Sequence, residues 1–320
     1  MRLMRLIKLI RVIFSRSKSL VNSINPHQPP STSSTSSTYQ LISFSLPQMA
    51  LFTTSLNSGS NGNCFYVGNE HEAVLVDAGI SCREIEKRMK RLGLSMQKVK
   101  AVLVTHEHSD HIRGIATLTR KHQLPVYITH PTLTFGGLRL EKELVFSFAA
   151  YQPIRIGELN ITAFPKSHDA CDPYSFIISC GGVKVGIFTD IGIPCEHVIK
   201  HFKQCHAAFL ETNYDEEMLE NGSYPYHLKK RIRSEQGHLS NSQALELFQT
   251  HRPSFMSHLF LSHLSQNNND PDTVLNLFNK HAGKTKIILA SRYEETRVYH
   301  ISEETIAKPV VSYTQLSLSL

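Results

Sequence analysis

The stretch THEHSDH (residues 105–111) directly follows the apolar run VKAVLV (99–104). A buried strand in that run delivers four metal-ligating side chains, His106, His108, Asp110 and His111, onto a turn. On a helix, residues two apart point in different directions, so this is not the HExxH arrangement. On an extended segment entering a turn, His106 and His108 share one side. Asp110 and His111, at the start of the next helix, face a neighbouring position. One short loop can therefore feed two adjacent ions. Imidazole with carboxylate suits zinc, and manganese or iron are accommodated as well. The competing reading is a histidine-rich surface loop; the intact apolar strand before it argues against that.

Further ligands must come from elsewhere, and strand ends supply them. Asp77 closes AVLVD, His168 follows a strand at 159–164, Asp190 closes VGIFTD, and His263 closes LFLSH. Each alone is an ordinary cap, but four strands ending in His or Asp are what a site at one sheet edge needs. His71, His122, His130, His201, His251, His281 and His300 lack such placement and are expected at the surface. Periodicity predicts strands at 63–67, 73–77, 99–105, 125–129, 143–148, 159–164, 174–180, 183–189, 207–211, 256–262, 285–290 and 297–301. Helices are expected at 82–92, behind the S-x-x-E pattern at Ser81 and stopped by Gly93, and at 111–122. Two more are expected at 241–251, opened by Ser240 or Asn241, and from Asp270-Pro271 to about 281, with Gly283 beyond. No internal repeat is evident. The order suggests two sheets with helices outside them.

The chain has 320 residues, 41% apolar and 19% charged, enough to bury a core and typical of a soluble globular protein. No apolar run is long enough to span a membrane. The formal charge of +7 is uneven: six of 34 cations lie in residues 1–48, which hold no Asp or Glu, leaving 28 cations against 27 anions. Bulk charge therefore gives the main domain no nucleic-acid argument. Residues 1–48 form a basic, Ser/Pro-rich arm, expected to be disordered over 26–38. It reads as an upstream extension, with Met49 as the effective start. The Arg- and Ser-rich, acid-free composition also resembles an organellar transit peptide. The six cysteines form no CxxC pair and read as reduced, mostly buried thiols of a cytosolic-type compartment.

The ordered set Asp77, His106-x-His108-x-Asp110-His111, His168, Asp190, His263 resembles the metallo-β-lactamase superfamily over about residues 50–305. SGSNGNC (58–64), DAGISCREIEKR (77–88), LETNYD (210–215), GHLSN (237–241) and SHLSQNNND (262–270) resemble its YycJ/WalJ-type branch of DNA exonucleases, related to RNase Z. The resemblance implies an α/β fold, an αββα four-layer sandwich over residues 49–306, with 307–320 as a tail. It implies two divalent ions, Zn2+ or alternatively Mn2+. His106, His108 and His168 would hold one, and Asp110, His111 and His263 the other, with Asp190 bridging. Asp77 would sit behind a ligand histidine and orient it. His238 resembles the GHST histidine of RNase Z, a phosphate contact or leaving-group acid. No long arm insertion of the RNase Z kind is evident, which speaks against tRNA processing.

The implied function is metal-dependent cleavage of nucleic-acid phosphodiesters, as a DNA exonuclease, through a metal-bound hydroxide. Asp110 would take a proton and His238 supply one to the departing oxygen. Two carboxylates, Asp110 and Asp190, against two divalent ions leave a positive pocket that favours a diester. Ser60, Asn61 and Asn63 in SGSNGNC are candidate phosphate contacts. So is Arg231, from the cations Lys229, Lys230, Arg231 and Arg233, at least two of which read as a solvated face. Asn213 and Tyr214 are candidate pocket residues, with Glu211 behind the ligands. Rival readings are a thioesterase or lactamase-type hydrolase on the same scaffold, and a metal-binding regulatory protein without turnover.

Overall fold

The structure is a computed structural model that describes residues 50–303. The expected arm at 1–48 and the tail at 307–320 lie outside the described residues. A first sheet begins with β1 (Ala50–Asn57), β2 (Cys64–Gly68), β3 (Ala73–Val76), β4 (Val99–Leu103), β5 (Val126–Tyr127) and β6 (Val145–Phe146). A second contains β7 (Pro153–Ile156), β8 (Leu159–Pro165), β9 (Tyr174–Cys180), β10 (Val183–Phe188), β11 (Ala207–Glu211), β12 (His258–Ser262) and β13 (Lys286–Leu289). The last strand, β14 (Tyr299–Ser302), returns to the first sheet beside β1. The strand orders are β14-β1-β2-β3-β4-β5-β6 and β13-β12-β11-β10-β9-β8-β7.

Alternation along these strands makes three apolar layers. Phe65, Val76 and Leu103 of the first sheet meet Phe176, Ile187, Phe209 and Phe260 of the second. Phe65 and Phe209 touch across the sandwich, their ring centroids 4.9 Å apart. Helices α1 (Cys82–Arg91), α2 (Ser109–Ile112), α3 (Ile115–His122) and α4 (His130–Phe135) follow strands of the first sheet. Ile85, Met89 and Leu118 pack on its outer face against Leu75, Val102 and Val104. The second sheet is accompanied by α5 (Glu196–Phe202), α6 (Glu216–Asn221), α7 (Tyr226–Ile232), α8 (Asn241–His251) and α9 (Pro271–Asn279). Phe202, Phe248 and Phe278 cover Phe188, Leu210 and Leu261 there. The expected αββα sandwich is thus the fold, with each fully buried large side chain contributing about 1.5–3 kcal/mol.

Helix boundaries follow their caps. Ser81 accepts from Glu84 N to open α1, and Gly93 beyond it takes φ 69°. Ser240 and Gln243 form a reciprocal capping box on α8, and Asp270 with Pro271 opens α9. The single helix expected at 111–122 is broken at Gly114, where a Cβ would lie 2.0 Å from Ile80 O. Strand β1 is not among the expected strands, and Thr53, Thr54 and Ser55 give it a polar middle. All three are fully buried. Thr53 Oγ1 donates to Tyr66 O and Thr54 Oγ1 to Thr296 O, at 2.9 and 2.7 Å, which offsets the cost of burying the two threonines, while Ser55 Oγ is buried without a partner. His201, expected at the surface, is buried and stacks on Phe164 at 4.2 Å.

The site follows from the parallel strands. In both sheets the parallel blocks, β3 to β6 and β10 to β13, end on the same edge of the sandwich. Asp77 and His263 come directly after such strand ends and Asp190 one residue further on, and each adopts left-handed backbone, with φ of 61°, 55° and 57°. Asp and His tolerate that conformation better than β-branched residues do. It turns the chain sharply while the side chain stays over the edge.

Candidate metal centre

The ligand loop is anchored by backbone before its side chains are placed. Asn63 N donates to Asp110 O, Ala78 N to His111 O and Gly79 N to Asn63 O, at 2.7, 2.9 and 2.8 Å. Gly79 is obligatory in this contact, since a Cβ would fall 1.6 Å from Asp110 O. The α2 N-cap is His108 itself, in extended backbone and with no side-chain capping bond, so its ring is available to the site.

Seven expected ligands converge. Ligand atoms of His106, His108 and His168 lie within 4.8 Å of one another, as do those of Asp110, His111 and His263. His106 Nε2 and His168 Nε2 are 3.1 and 3.3 Å from His108 Nδ1. In the other group, Asp110 Oδ2 is 3.6 Å from His111 Nε2 and 3.5 Å from His263 Nε2. Asp190 lies between: Oδ2 is 3.1 Å from His111 Nε2 and Oδ1 3.8 Å from His168 Nε2.

The outer nitrogens of four of these rings are held from behind. His111 Nδ1 donates to Asp77 Oδ2 at 2.7 Å. Thr105 Oγ1 donates to the same oxygen at 2.8 Å and sits 2.9 Å from His106 Nδ1, so Asp77 orients both rings. His263 Nδ1 donates to Glu211 Oε1 at 2.9 Å, and His168 Nδ1 to Gly237 O at 3.0 Å. Each bond leaves the opposite nitrogen as the inward lone pair, the arrangement of metal-ligating histidines. Asp190 Oδ2 and His263 Nε2 are buried without a hydrogen-bond partner. Inward lone pairs, orphaned buried atoms and a nitrogen–oxygen donor set fit divalent ions.

The two groups differ electrostatically. Burial holds His106 well below the ordinary histidine range and pushes His168 down to about 3. Burial opposes charge on His263 too, but Asp190, Asp110 and Glu211 outweigh it and raise it to about 10. His111 is likewise held well above its usual value, by Asp190, Asp77 and Asp110 against burial. Burial would raise Glu211, yet His238 and His263 bring it down to about 2. Asp77 and Glu211 therefore join Asp110 and Asp190 in the cluster. The site is closer to charge balance with two divalent ions than the two-carboxylate count implied.

A cavity of about 330 Å³ opens over this cluster. Asp110, Asp190, His108, His263 and His238 line it, with Ser60, Asn213 and Arg231 among the expected contacts. His238 Nδ1 donates to Glu211 Oε1 at 2.8 Å, which fixes its ring. Asn63 is fully buried; its amide meets Asp110 Oδ2 and His111 Nε2 at 3.2 and 3.1 Å, a bracing position rather than one facing substrate. Asn61 turns its amide to Arg292 O at 3.0 Å and does not line the cavity. Tyr214 is buried beneath it, against Leu219 and Ile232. Of the four cations at 229–233 only Arg231 faces the cavity, tied to Asp169; Lys229 and Arg233 bond to Glu220. Thr105, Gly237, Tyr224, Leu228 and Ile232 were missed by the sequence reading; a hydroxyl, a backbone carbonyl and apolar side chains carry no signature of their own.

Comparison with known proteins agrees with this fold. Residues 72–263 match the family model described as a β-lactamase superfamily domain. The chain is 35% identical over 226 residues to exodeoxyribonuclease YycJ of Bacillus anthracis, covering 69% of this chain and 85% of that protein. It is 31% identical over 221 residues to exodeoxyribonuclease WalJ of Streptococcus pneumoniae, covering 67% and 81%. The crystal structure of the metallo-β-lactamase fold protein YhfI from Bacillus subtilis aligns with a TM-score of 0.61 at 18% identity, over 78% of this chain and 99% of that one.

Proposed function

The chain belongs to the β-lactamase superfamily, and on that premise we propose that it is a metal-dependent nuclease, acting on DNA as an exonuclease. The observation that carries this reading is the meeting of two ligand trios at Asp190 on the floor of an open cavity. Two relatives above 30% identity that bear the name exodeoxyribonuclease support the substrate class.

His106, His108 and His168 would hold one divalent ion and Asp110, His111 and His263 the other, with Asp190 shared. When bound, such ions draw charge from phosphate oxygens and bring the pKa of water towards neutral. The residues then divide the proton work. Asp110 lines the cavity and has a carboxylate oxygen free to take a proton from the attacking water. His238 is held by Glu211 through Nδ1, so its other nitrogen is the one that can give a proton to the departing oxygen. Ser60, Asn213 and Arg231 stand where the flanking phosphates would run. The cysteines at 64, 82, 171, 180, 195 and 205 are free and four are buried, which supports a reducing, cytoplasmic setting. No helix among the described residues is long and apolar enough to cross a membrane.

The test is metal analysis together with digestion of end-labelled single- and double-stranded DNA and RNA. Metal-replete protein is expected to shorten DNA from an end, and Asp110→Ala or His108→Ala to abolish this with the fold intact. Intact nucleic acids alongside hydrolysis of an acyl-thioester would replace the reading with a thioesterase. Bound metal with no hydrolysis at all would leave a binding protein.

A further inference from the structure

Among the described residues, one group of candidate ligands shares no member with the centre at Asp190. It is Cys82, Glu86 and His122, whose sulfur, carboxylate oxygen and ring nitrogen lie within 4.8 Å of one another. The group sits outside the first sheet, where α1 packs beside α3. Cys82 opens α1 and Glu86 follows four residues on, so the two share a face of the helix. His122 is the last residue of α3. It was expected at the surface but is half-buried, and Cys82 is buried. Glu86 is the meeting point. Its Oε1 lies 2.6 Å from His122 Nε2 and 2.7 Å from Lys121 Nζ, and the Cys82 thiol donates to the same carboxylate. Burial and Glu86 push this thiol up, so it keeps its proton when nothing stronger competes for the sulfur. A divalent ion competes well. Thiolate and carboxylate neutralise its charge, the imidazole adds a nitrogen with its own proton on Nδ1, and the thiol proton leaves to water. Lys121 is 56% exposed and can withdraw its ammonium into solvent. Sulfur, nitrogen and oxygen donors around one tetrahedral zinc stand about 3.3–3.6 Å apart. The separations here, from 2.6 Å to within 4.8 Å, bracket that value, so small side-chain rotations close the site.

We propose that Cys82, Glu86 and His122 form a separate site for one divalent cation of zinc's class, with water in the fourth position. An ion there clips α1 to α3, the helices that lead away from Asp77 and from the loop bearing Asp110 and His111. Its effect is on stability rather than on the reaction, so the inference does not depend on the nuclease reading. The sulfur sets the preference: a thiolate favours zinc or cobalt over magnesium and manganese. The centre at Asp190 is built from nitrogen and oxygen alone, so a sulfur-bound ion reports this second site and no part of the first.

The experiment titrates the full chain, its thiols kept reduced, with cobalt and follows the near-ultraviolet sulfur-to-cobalt charge-transfer band. The wild type is expected to develop the band, saturating at one sulfur-bound cobalt per chain. Cys82→Ser should lose the band, whereas Cys171→Ser, which alters an exposed thiol, should keep it. His122→Gln removes a ligand and should weaken cobalt binding at least about tenfold, as much as losing a group behind a ligand costs. Lys121→Ala removes the competing ammonium and should bind cobalt severalfold more tightly, which a plain ion-pair cluster would not produce. Zinc should raise the melting temperature of the wild type more than that of Cys82→Ser. A wild type without the band, or a band whose cobalt dependence His122→Gln leaves unchanged, overturns the site. Cleavage is read in none of these arms, so either result leaves the proposed nuclease activity where it stands.

Discussion

Two groups of three side chains meet at Asp190, and they are built on opposite plans. The first, His106, His108 and His168, is imidazole alone, backed by a threonine hydroxyl and a backbone carbonyl. The second, Asp110, His111 and His263, contains a carboxylate and is backed by two more, Asp77 and Glu211. His168 and His263 are both buried histidines at the same edge, yet one is pushed down to about 3 and the other up to about 10. Burial is common to them, so the carboxylates around each ring decide the difference: Asp190, Asp110 and Glu211 outweigh burial at His263, whereas burial outweighs Asp190 at His168. The imidazole trio presents neutral nitrogen donors, while the carboxylate trio concentrates negative charge that attracts a cation of any kind, a proton included.

The contrast can be broken at its hinge. Asp190→Ala removes the one side chain common to both trios, and kcat is expected to fall at least about 10³-fold with loss of both ions. Loss of only one ion would show that Asp190 does not couple them. Next come His108→Ala and Asp110→Ala, each expected to lose one ion and about 10²–10³-fold in rate. In the wild type under a limiting chelator, manganese should exchange into the trio that contains Asp110 before the imidazole trio, as followed by electron paramagnetic resonance. Glu211→Gln is expected to cost about 10–100-fold, and Thr105→Val less, because the hydroxyl is uncharged and Asp77 still holds His111 directly.

The smallest effect is on metal-free protein, where the trios should titrate in opposite directions. The native state disfavours a proton on His168, so stability falls as pH drops from about 6.5 towards 4.5. The native state favours one on His263, so its contribution is complete below about 6.5 and lost as pH rises through about 10. The melting temperature should therefore peak near neutrality by a few degrees. His263→Asn should weaken the alkaline limb, with His111 keeping the remainder, as read by calorimetry; an alkaline limb as steep as that of the wild type would contradict the assignment.

How much of this was legible depended on whether a residue's identity carries its role. Histidine and aspartate at and just beyond strand ends announce themselves, so seven ligand candidates could be named from the sequence, and the structure brings these side chains together. Strands β9 and β11 and helix α8 coincide with their sequence patterns, because apolar runs and a capping box bound them. Strand β1 was hidden, since its threonines are satisfied by Tyr66 and Thr296, residues far away in sequence. Helices α4 to α7 span only six or seven residues each, too short for a 3.6-residue period to show. Thr105 and Gly237 act through a hydroxyl and a backbone carbonyl, groups found everywhere in the chain. Asn63 has the chemistry of a phosphate contact and of an internal brace, and only its burial separates the two.

The three left-handed corners at Asp77, Asp190 and His263 carry a lesson for anyone re-engineering this edge. At these positions chemistry and geometry make competing demands on a replacement. At the two aspartates, glutamate preserves the negative charge but sits poorly at positive φ and lengthens the reach. Asparagine keeps the corner and discards the charge, so it yields a folded, well-shaped but silent enzyme. Libraries that vary these codons should therefore separate cleanly into catalytic failures and folding failures, with asparagine and glycine in the first class and β-branched residues in the second.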